Sequence, residues 1–247
     1  MRSPSTGFGP DQVEIWSLRL DQAPSQASRA LLDTAELSRA DRFRRPRDGA
    51  RWAAARAGLR TLLGVRLSCH PGSIRIETQE SGKPTAADSG GLRFSVSHSH
   101  GLALYAIARD REVGVDVEAE RRGIDVEAIA RRTLPSTSAQ ALAALPPAER
   151  RSAFFEHWTR HEAMLKCLGT GLARGSVRER ELMVAQLEAG PDWAAALAVD
   201  STPSGGEVIR IALTDEDAAP SLRTACNRDP GPALGDLLRL RATVSLA

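Results

Sequence analysis

Apolar and polar residues alternate in several short stretches of the chain, a pattern that predicts β-strands with one buried face. The first stretch is Val13–Leu20. Three more follow in the middle of the chain, separated by turn residues as in an antiparallel meander: Leu92–Ser97, Leu102–Ala108 and Val113–Glu118. Further strands are predicted at Ile74–Glu77, Trp193–Val199, Val208–Leu213 and Arg241–Leu246.

Apolar residues recur at helical spacing in four other stretches. These predicted helices are Gln26–Leu37, Arg51–Leu63, Ile124–Leu134 and Ala148–Leu168. Gly64 and Gly169 follow two of them at positions typical of a C-cap, and Pro135 ends a third. In the longest helix we expect a buried stripe made of Phe154, Trp158, His161, Leu165 and Leu168. The chain is therefore predicted to contain both helices and strands.

Three kinds of loop signal lie between these elements. The basic segment Ser38–Arg51 is interrupted by Pro46 and Gly49, so part of it is predicted as loop or helix terminus. The segment Gln79–Gly91 is rich in Ser, Gly, Pro and Asp and is predicted as a loop that carries Gly82-Lys83-Pro84. Two loose segments join the last predicted strands, Asp200–Glu207 and Asp215–Gly235.

Composition narrows the class of protein. A chain of 247 residues, 42% hydrophobic and 26% charged, suits one large globular domain or two small ones. A net charge of +2 provides no overall field towards nucleic acid or a membrane surface. No apolar run approaches the ~18 residues of a membrane span, and the first residues lack the apolar region of a secretory signal. The cysteines Cys69, Cys167 and Cys226 fit neither a disulfide framework nor a zinc site, so we expect a cytoplasmic protein with reduced thiols.

Lysine is nearly absent. Of 33 basic residues only Lys83 and Lys166 are lysines, and the rest are arginines. A general preference for arginine explains the bias. A lysine that is retained under such a bias marks a place where a compact point charge on a flexible stem is needed, rather than a planar fork.

Two carboxylates stand on one face of a predicted strand. In VGVDVE, the valines of Val113–Glu118 face one way, and Asp116 and Glu118 face the other. Converging carboxylate oxygens are suitable ligands for Mg²⁺. Taken alone, the same alternation is also typical of an edge strand with a solvated acidic face.

The longest predicted helix carries Glu162 and Lys166 next to its apolar stripe, four residues apart. Such a pair forms either a weak surface ion pair or a third carboxylate ligand or base with a cation that meets a phosphate. In FSVSHSH, His98 and His100 have no third ligand at zinc spacing. Ser97 and His98 are instead candidate phosphate donors, or polar turn residues.

The basic segment precedes a helix whose N-terminus favours phosphate, although runs of arginine are also common on solvated faces. Taken in order, five motifs resemble those of the 4'-phosphopantetheinyl transferases, in particular the two-lobed, monomeric type that activates peptide and polyketide synthases such as surfactin synthetase. The motifs are the basic segment with Arg42-Phe43, then GKP, FSVSHS, GVDVE and FFEHWTRHEAMLKCLGTGL. They cover about Val13 to Leu172.

The resemblance implies the α+β class, with two similar α/β lobes related by a pseudo-twofold axis and the active site in the cleft between them. We expect an N-terminal lobe on the coenzyme A side at 1–110 and a C-terminal lobe with the metal and the catalytic helix at 111–247. The implied activity transfers 4'-phosphopantetheine from coenzyme A to a serine of an acyl or peptidyl carrier protein and releases 3',5'-ADP. The implied cofactor is Mg²⁺. No nucleic acid or membrane partner is expected.

Site residues follow from the resemblance, position by position. Three carboxylates are matched to Mg²⁺: Asp116, Glu118 and Glu162. The catalytic residues are matched to Glu162, Lys166, Glu118 and His98. Coenzyme A contacts are matched to Arg39, Arg51, Lys83, Ser97, His98 and Lys166. Whether Glu118 or Glu162 accepts the serine proton stays open, as does the carrier that is served.

One position departs from the family pattern. The family usually has a lysine before the glutamate of its helix motif, and this chain has His161. We expect activity to survive this change. Two other interpretations remain: a non-catalytic protein that binds coenzyme A or a carrier, and a metal-dependent hydrolase using His98, His100, Asp116 and Glu118. The incomplete ligand pattern argues against the hydrolase.

Overall fold

The computed structural model describes residues 12–21, 24–80, 82–87, 89–169 and 182–200, and the backbone of 209–212 and 238–246. Its strands are β1 (Gln12–Arg19), β2 (Ile76–Thr78), β3 (Pro84–Ala86), β4 (Leu92–Ser99), β5 (Leu102–Arg109), β6 (Val113–Ala119), β7 (Leu182–Leu187), β8 (Trp193–Asp200), β9 (Ile209–Ala212) and β10 (Leu238–Leu246). Its helices are α1 (Gln26–Arg29), α2 (Thr34–Asp41), α3 (Pro46–Leu67), α4 (Val126–Thr133), α5 (Ser136–Ala144) and α6 (Pro147–Leu168). The predicted α+β class is confirmed.

The strands form two main antiparallel sheets. The first has the order β4-β5-β1-β10-β9, and the second has the order β6-β8-β7. Strands β2 and β3 form a separate hairpin. The predicted meander is therefore only partly right, because β6 pairs with β8 and not with β5. The edge of β5 that β6 would need is already paired with β1, in the register Val13 to Ala108.

The two halves of the chain share an order of elements. Each has a strand, a helix of 22 residues with proline at its first turn, and then a pair of strands. In each, the third of these strands lies between the first and the second, as β4-β5-β1 and as β6-β8-β7. The last strand, β10, returns to pair with β1 of the first sheet. The pseudo-twofold axis and the division at residue 110 stay predictions.

The molecule is layered because strands β5 and β6, one in each sheet, bury residues on both faces. On β5, Tyr105 and Ile107 pack towards α3, whereas Leu104 and Ala106 pack on the second sheet. The valines of β6 and Leu197 of β8 complete that inter-sheet core. The other face of the second sheet is covered by α6, through alanines of β8 and the small residues of the helix. The order of layers is thus α3, first sheet, second sheet, α6.

Several helix boundaries differ from prediction. The helix expected at Gln26–Leu37 is two helices, because Asp33 caps a new one and forms a capping box with Glu36. The prediction that part of Ser38–Arg51 is loop or helix terminus is confirmed, because α2 ends at Asp41 and Pro46 begins α3, where proline suits the first turn. Gly49 lies inside α3, where a Cβ would come 2.2 Å from the carbonyl oxygen of Ala40.

Gly64 is likewise inside α3, and the C-cap is Ser68 at φ 53°. The predicted C-cap at Gly169 is confirmed, with φ 66°. The segments α5, β3 and β7 were not predicted as elements. The strand predicted at Val208–Leu213 is confirmed over Ile209–Ala212, whereas Asp215–Gly235 lies outside the described residues. No helix in the described ranges is both long and apolar enough to cross a membrane.

The buried stripe predicted for α6 is wrong in its phase. The fully buried residues of this helix are Phe154, Phe155, Thr159, Ala163 and Cys167. Trp158, His161, Leu165 and Leu168 are only half-buried. The small Ala163 and Cys167 face the sheet because they pack against Ala196 and Ala198 of β8 at close range. Side-chain size, rather than hydrophobicity alone, decides which face of α6 is buried.

Gly114 is the point of closest approach between β6 and α6. A Cβ at this position would lie 2.0 Å from the carbonyl oxygen of Ala163 and 2.4 Å from the amide nitrogen of Cys167. Both atoms belong to the helix backbone and cannot rotate away. The strand and the helix are therefore in contact through their backbones.

We expect Gly114→Ala to lower the free energy of unfolding by about 3 kcal/mol or more, the upper part of the range for overpacking, because only a shift of α6 relieves the clash. Urea denaturation followed by circular dichroism measures this. Gly123→Ala is the control, since Gly123 has φ 76° but no atom within 4 Å of its Cβ position. The control should lose only about 1 kcal/mol from backbone strain. Equal losses in the two variants would contradict the close contact.

Candidate active site

Strand β6 presents Asp116 and Glu118 on the face opposite to its buried valines, as the alternation predicts. Asp116 is only 4% exposed, although it carries no apolar surface that favours burial. Its carboxylate lies under α6, which covers this face of the second sheet. A charged group is buried at such a position only when other charges or hydrogen bonds compensate it.

Helix α6 provides part of that compensation. The ammonium of Lys166 donates to Asp116 Oδ1 at 2.6 Å and to Ser97 Oγ at 2.9 Å. Ser97, on β4, also donates to Asp116 Oδ1 at 2.7 Å. Lys166 therefore does not form the surface ion pair with Glu162 that was one interpretation of their spacing. It joins α6 to the edges of both sheets.

The site still has excess negative charge. Burial raises the pKa of Glu162, and the nearby Asp116 carboxylate raises it further. Burial also raises the pKa of Glu118, while the hydrogen bond from Ser99 partly opposes this. Asp116 Oδ2 and Glu162 Oε1 are buried and, among the described residues, receive no hydrogen bond. These two oxygens belong to neighbouring carboxylates, and a divalent cation would neutralise the negative charge that the two groups share.

The fit to a cation therefore lies in the donor set, which consists only of hard carboxylate oxygens. Within the described ranges, no three His, Cys, Asp or Glu side chains are already arranged to hold a metal ion. His98 and His100 do not converge either, because β4 ends at Ser99 and His100 has φ 45°. The arrangement required for a zinc-type hydrolase is thus absent from the part of the chain that the structure describes.

A cavity of about 320 Å³ opens beside these carboxylates. Its apolar wall comes from α3 and from the β2–β3 hairpin, and includes Trp52, Leu59 and Pro84. Its polar wall consists of Arg39, Arg56, Ser97, His98 and Lys166. Four of these five can carry positive charge, so the cavity suits a ligand with an apolar part and several anionic groups.

The cations of the cavity are held in place by their neighbours. Arg39 lies over the ring of Trp52, with its guanidinium 5.0 Å from the ring centre. Arg56 pairs with the buried Glu36, which also accepts from Arg60 at 2.7 Å. His98 lies at the cavity surface, where partial removal from water, Lys166 and Arg39 together lower its pKa. In its neutral form, His98 can donate a hydrogen bond from one ring nitrogen.

Two residues matched to coenzyme A are engaged elsewhere. Lys83 Nζ donates to Glu112 Oε2 at 2.6 Å and to the carbonyl oxygens of Cys167 and Val113 at 3.1 and 3.3 Å. The cavity is lined by its neighbours Gly82 and Pro84, and not by Lys83. Arg51 donates to Asp21 Oδ1 at 3.3 Å and also does not line the cavity. Their matching to coenzyme A stays a prediction.

The alternating serines of β4 are a sequence signal for this site that the predictions did not use. Ser95, Ser97 and Ser99 alternate along β4 and all three are buried. Alternating serines in a strand place three hydroxyls on one face, and here that face meets β6. Trp52 and Arg56 were missed for another reason, because only the packing of α3 shows which of its residues reach the cavity.

Comparison with known proteins yields one family. A family model described as the 4'-phosphopantetheinyl transferase superfamily matches residues 112–214. The 4'-phosphopantetheinyl transferase HetI of Nostoc sp. is 36% identical over 193 residues, which are 74% of this chain and 81% of the relative. A phosphopantetheinyl transferase of Thraustochytrium sp. is 31% identical over 68% of this chain and 65% of its own. The 4'-phosphopantetheinyl transferase Sfp of Bacillus subtilis is 26% identical over 65% and 72%.

The raised pKa of Glu162 has a consequence for stability. The folded protein holds the Glu162 proton to a higher pH than the unfolded chain, whose glutamate has a pKa of about 4.3. The free energy of unfolding therefore falls as the pH rises from that value through the raised pKa, and the full penalty applies at neutral pH if the group is ionised there.

We expect Glu162→Gln to raise the melting temperature of the metal-free protein by a few degrees at neutral pH, and the gain to shrink towards pH 4. Differential scanning fluorimetry in EDTA across this range measures it. Glu156→Gln, on the exposed face of the same helix, is the control and should change nothing. A loss of stability at neutral pH in Glu162→Gln would show that the carboxylate is stabilising.

Proposed function

Because the chain belongs to the 4'-phosphopantetheinyl transferase superfamily, we propose that it transfers 4'-phosphopantetheine from coenzyme A to a serine hydroxyl of an apo acyl or peptidyl carrier protein. The observation that carries this proposal is the junction of Lys166, Asp116 and Ser97 at the wall of the cationic cavity. This junction places Lys166 and Ser97, which line the cavity, within hydrogen-bond distance of the Asp116 carboxylate.

The proposed cofactor is Mg²⁺, held by Asp116, Glu118 and Glu162. The buried, unsatisfied oxygens of Asp116 and Glu162 support this assignment. When bound there, the ion would neutralise charge on pyrophosphate oxygens. The coenzyme would occupy the cavity, with its anionic groups towards Arg39, Arg56, His98 and Lys166 and its apolar parts against the wall that contains Trp52 and Pro84.

The reaction forms a bond between the serine oxygen and the β-phosphorus of coenzyme A. The bond from that phosphorus to the bridging oxygen breaks, and 3',5'-ADP leaves with the electron pair. Glu162, or Glu118 through a water molecule, accepts the serine proton. Lys166 and His98 donate to the phosphate oxygens. Such chemistry asks the protein mainly for positioning and charge stabilisation.

We also propose the two-lobed division at residue 110, with one chain sufficient for activity. The shared order of elements and the matching strand order of the two sheets support the division. Both walls of the cavity come from the same chain, α3 and β4 from the first half and α6 from the second. The carriers proposed are those of peptide and polyketide synthases. Free Cys69 and Cys167 are consistent with a reducing, cytoplasmic setting.

Intact mass spectrometry of an apo carrier protein tests the proposed function. We expect the carrier to gain the mass of one phosphopantetheinyl group on incubation with the protein, coenzyme A and Mg²⁺, and EDTA to abolish the gain. Asp116→Asn should lower the rate by about 100-fold or more, as expected when charge stabilisation at the reacting group is lost. Asp192→Asn, at an exposed residue just before β8, is the control. If several carriers gain no mass while the protein still binds coenzyme A, the protein would instead be a non-catalytic protein that binds coenzyme A or a carrier.

His161 takes the position where the family usually has a lysine. Its side chain is half-buried, burial lowers its pKa, and it makes no hydrogen bond to any described residue. Burial therefore disfavours the charged form of His161, and we expect it to provide little positive charge to the site. We expect His161→Lys to change kcat by less than about tenfold, which is less than about 1.4 kcal/mol of barrier. Steady-state kinetics with one carrier measures this, and a larger gain would show that the histidine impairs the parent enzyme.

A further inference from the structure

The edges of the two sheets are joined by serine side chains and not by a strand ladder. Strand β4 is an edge of the first sheet, and β6 is an edge of the second. The buried Ser95, Ser97 and Ser99 of β4 all reach β6. We call these three residues the serine row.

The outer members of the serine row satisfy backbone donors of β6. The amide of Val115 donates to Ser95 Oγ at 3.1 Å, and the amide of Ala119 donates to Ser99 Oγ at 3.3 Å. An edge strand leaves alternate amides unpaired, and burial makes each unpaired amide costly. As far as this role goes, Ser95 and Ser99 are equivalent.

Ser99 differs from Ser95 because it also binds a carboxylate. Its hydroxyl donates to Glu118 Oε2 at 2.7 Å while it accepts from the amide of Ala119. A hydroxyl has a single proton. Because the Ala119 amide can only donate, the Ser99 proton must point to Glu118. The ring nitrogen Nδ1 of His100 lies 3.4 Å from Ser99 Oγ and can act as a second donor to this hydroxyl oxygen.

Ser99 thereby decides which oxygen of Glu118 is left for a ligand. The guanidinium of Arg121 also meets Oε2, at 3.5 Å. Among the described residues nothing donates to Glu118 Oε1. Ser97 acts in the same way on Asp116, since it occupies Oδ1 and leaves the buried Oδ2 without a partner. In each of the two carboxylates of β6, one oxygen accepts a hydrogen bond from a serine of the row. The other carboxylate oxygen receives no hydrogen bond from a described residue.

We propose that Ser99 is a positioning residue that holds the carboxylate of Glu118 in the orientation needed for the divalent cation. The inference rests on the proposed function, because it presupposes a cation between Asp116, Glu118 and Glu162. Ser99 does not touch the substrate or the cation. It acts through Glu118, as hydrogen-bond partners of metal-binding carboxylates generally do.

The experiment measures Mn²⁺ binding by electron paramagnetic resonance in the presence of coenzyme A and without a carrier, so no turnover is needed. We expect Ser99→Ala to raise the Mn²⁺ dissociation constant by about 10-fold or more, the usual effect of losing such a partner. Ser99→Thr keeps the hydroxyl and should restore most of the affinity. Ser99→Cys keeps the size with a weak donor, so it should weaken binding even if Ser99→Ala folds poorly.

The matched control is Ser95→Ala, which removes a buried hydroxyl of the same row that binds only a backbone amide. It should lower the melting temperature as Ser99→Ala does, and leave Mn²⁺ binding unchanged. Equal Mn²⁺ affinities in Ser99→Ala and the parent, or equal weakening in Ser99→Ala and Ser95→Ala, would overturn the positioning role.

The parent protein separates failure of this inference from failure of the proposed function. If the parent itself binds no Mn²⁺ with coenzyme A present, the cation site of the proposed function is wrong, and the inference falls with it. If the parent binds Mn²⁺ and modifies a carrier while the Ser99 variants behave like Ser95→Ala, only the role of Ser99 is wrong.

Discussion

The close contact of α6 with β6 at Gly114 is the constraint on which the rest of the site depends. Because the helix backbone lies against the strand, Lys166, three residues after Ala163, is near enough to reach Asp116 with its ammonium group. The same contact sets which face of α6 is buried, since Ala163 and Cys167 must face the sheet. A larger residue at any of these three positions would raise the helix and separate Lys166 and Glu162 from the carboxylates of β6.

That arrangement concentrates more negative charge than the protein can neutralise. Lys166 compensates one oxygen of Asp116, yet Glu118 and Glu162 have raised pKa values, chiefly from burial and in part from Asp116. A fold selected only for stability would supply partners for Asp116 Oδ2 and Glu162 Oε1, because buried carboxylate oxygens without a partner are costly. Their persistence beside a cationic cavity is best explained by a ligand that brings positive charge. The proposed cation would relieve this cost, because it would neutralise the charge that burial leaves on the carboxylates.

The sequence was sufficient for the elements that form the site and insufficient for how they meet. Alternation predicted β6 and the shared face of Asp116 and Glu118, since a strand has a fixed period. The glycine after Leu168 predicted the end of α6. Pairing of β6 with β8 was not predictable, because it depends on β1 occupying the edge of β5, a contact between residues far apart in the chain. The phase of α6 was missed because small residues, and not the large apolar ones, allow the close approach.

The two lysines show what the composition could and could not indicate. Each joins the halves of the chain: Lys83 reaches from the first half to Glu112 and the end of α6, and Lys166 reaches from α6 to Ser97. Lys83 donates to a carboxylate and to two carbonyl oxygens on different elements, β6 and α6. A compact ammonium can donate in three directions, whereas a guanidinium donates within one plane. The scarcity of lysine therefore identified two positions that require a compact ammonium group. The two groups act in different places. Lys166 faces the cavity, and Lys83 stabilises the C-terminal end of the helix that positions Lys166.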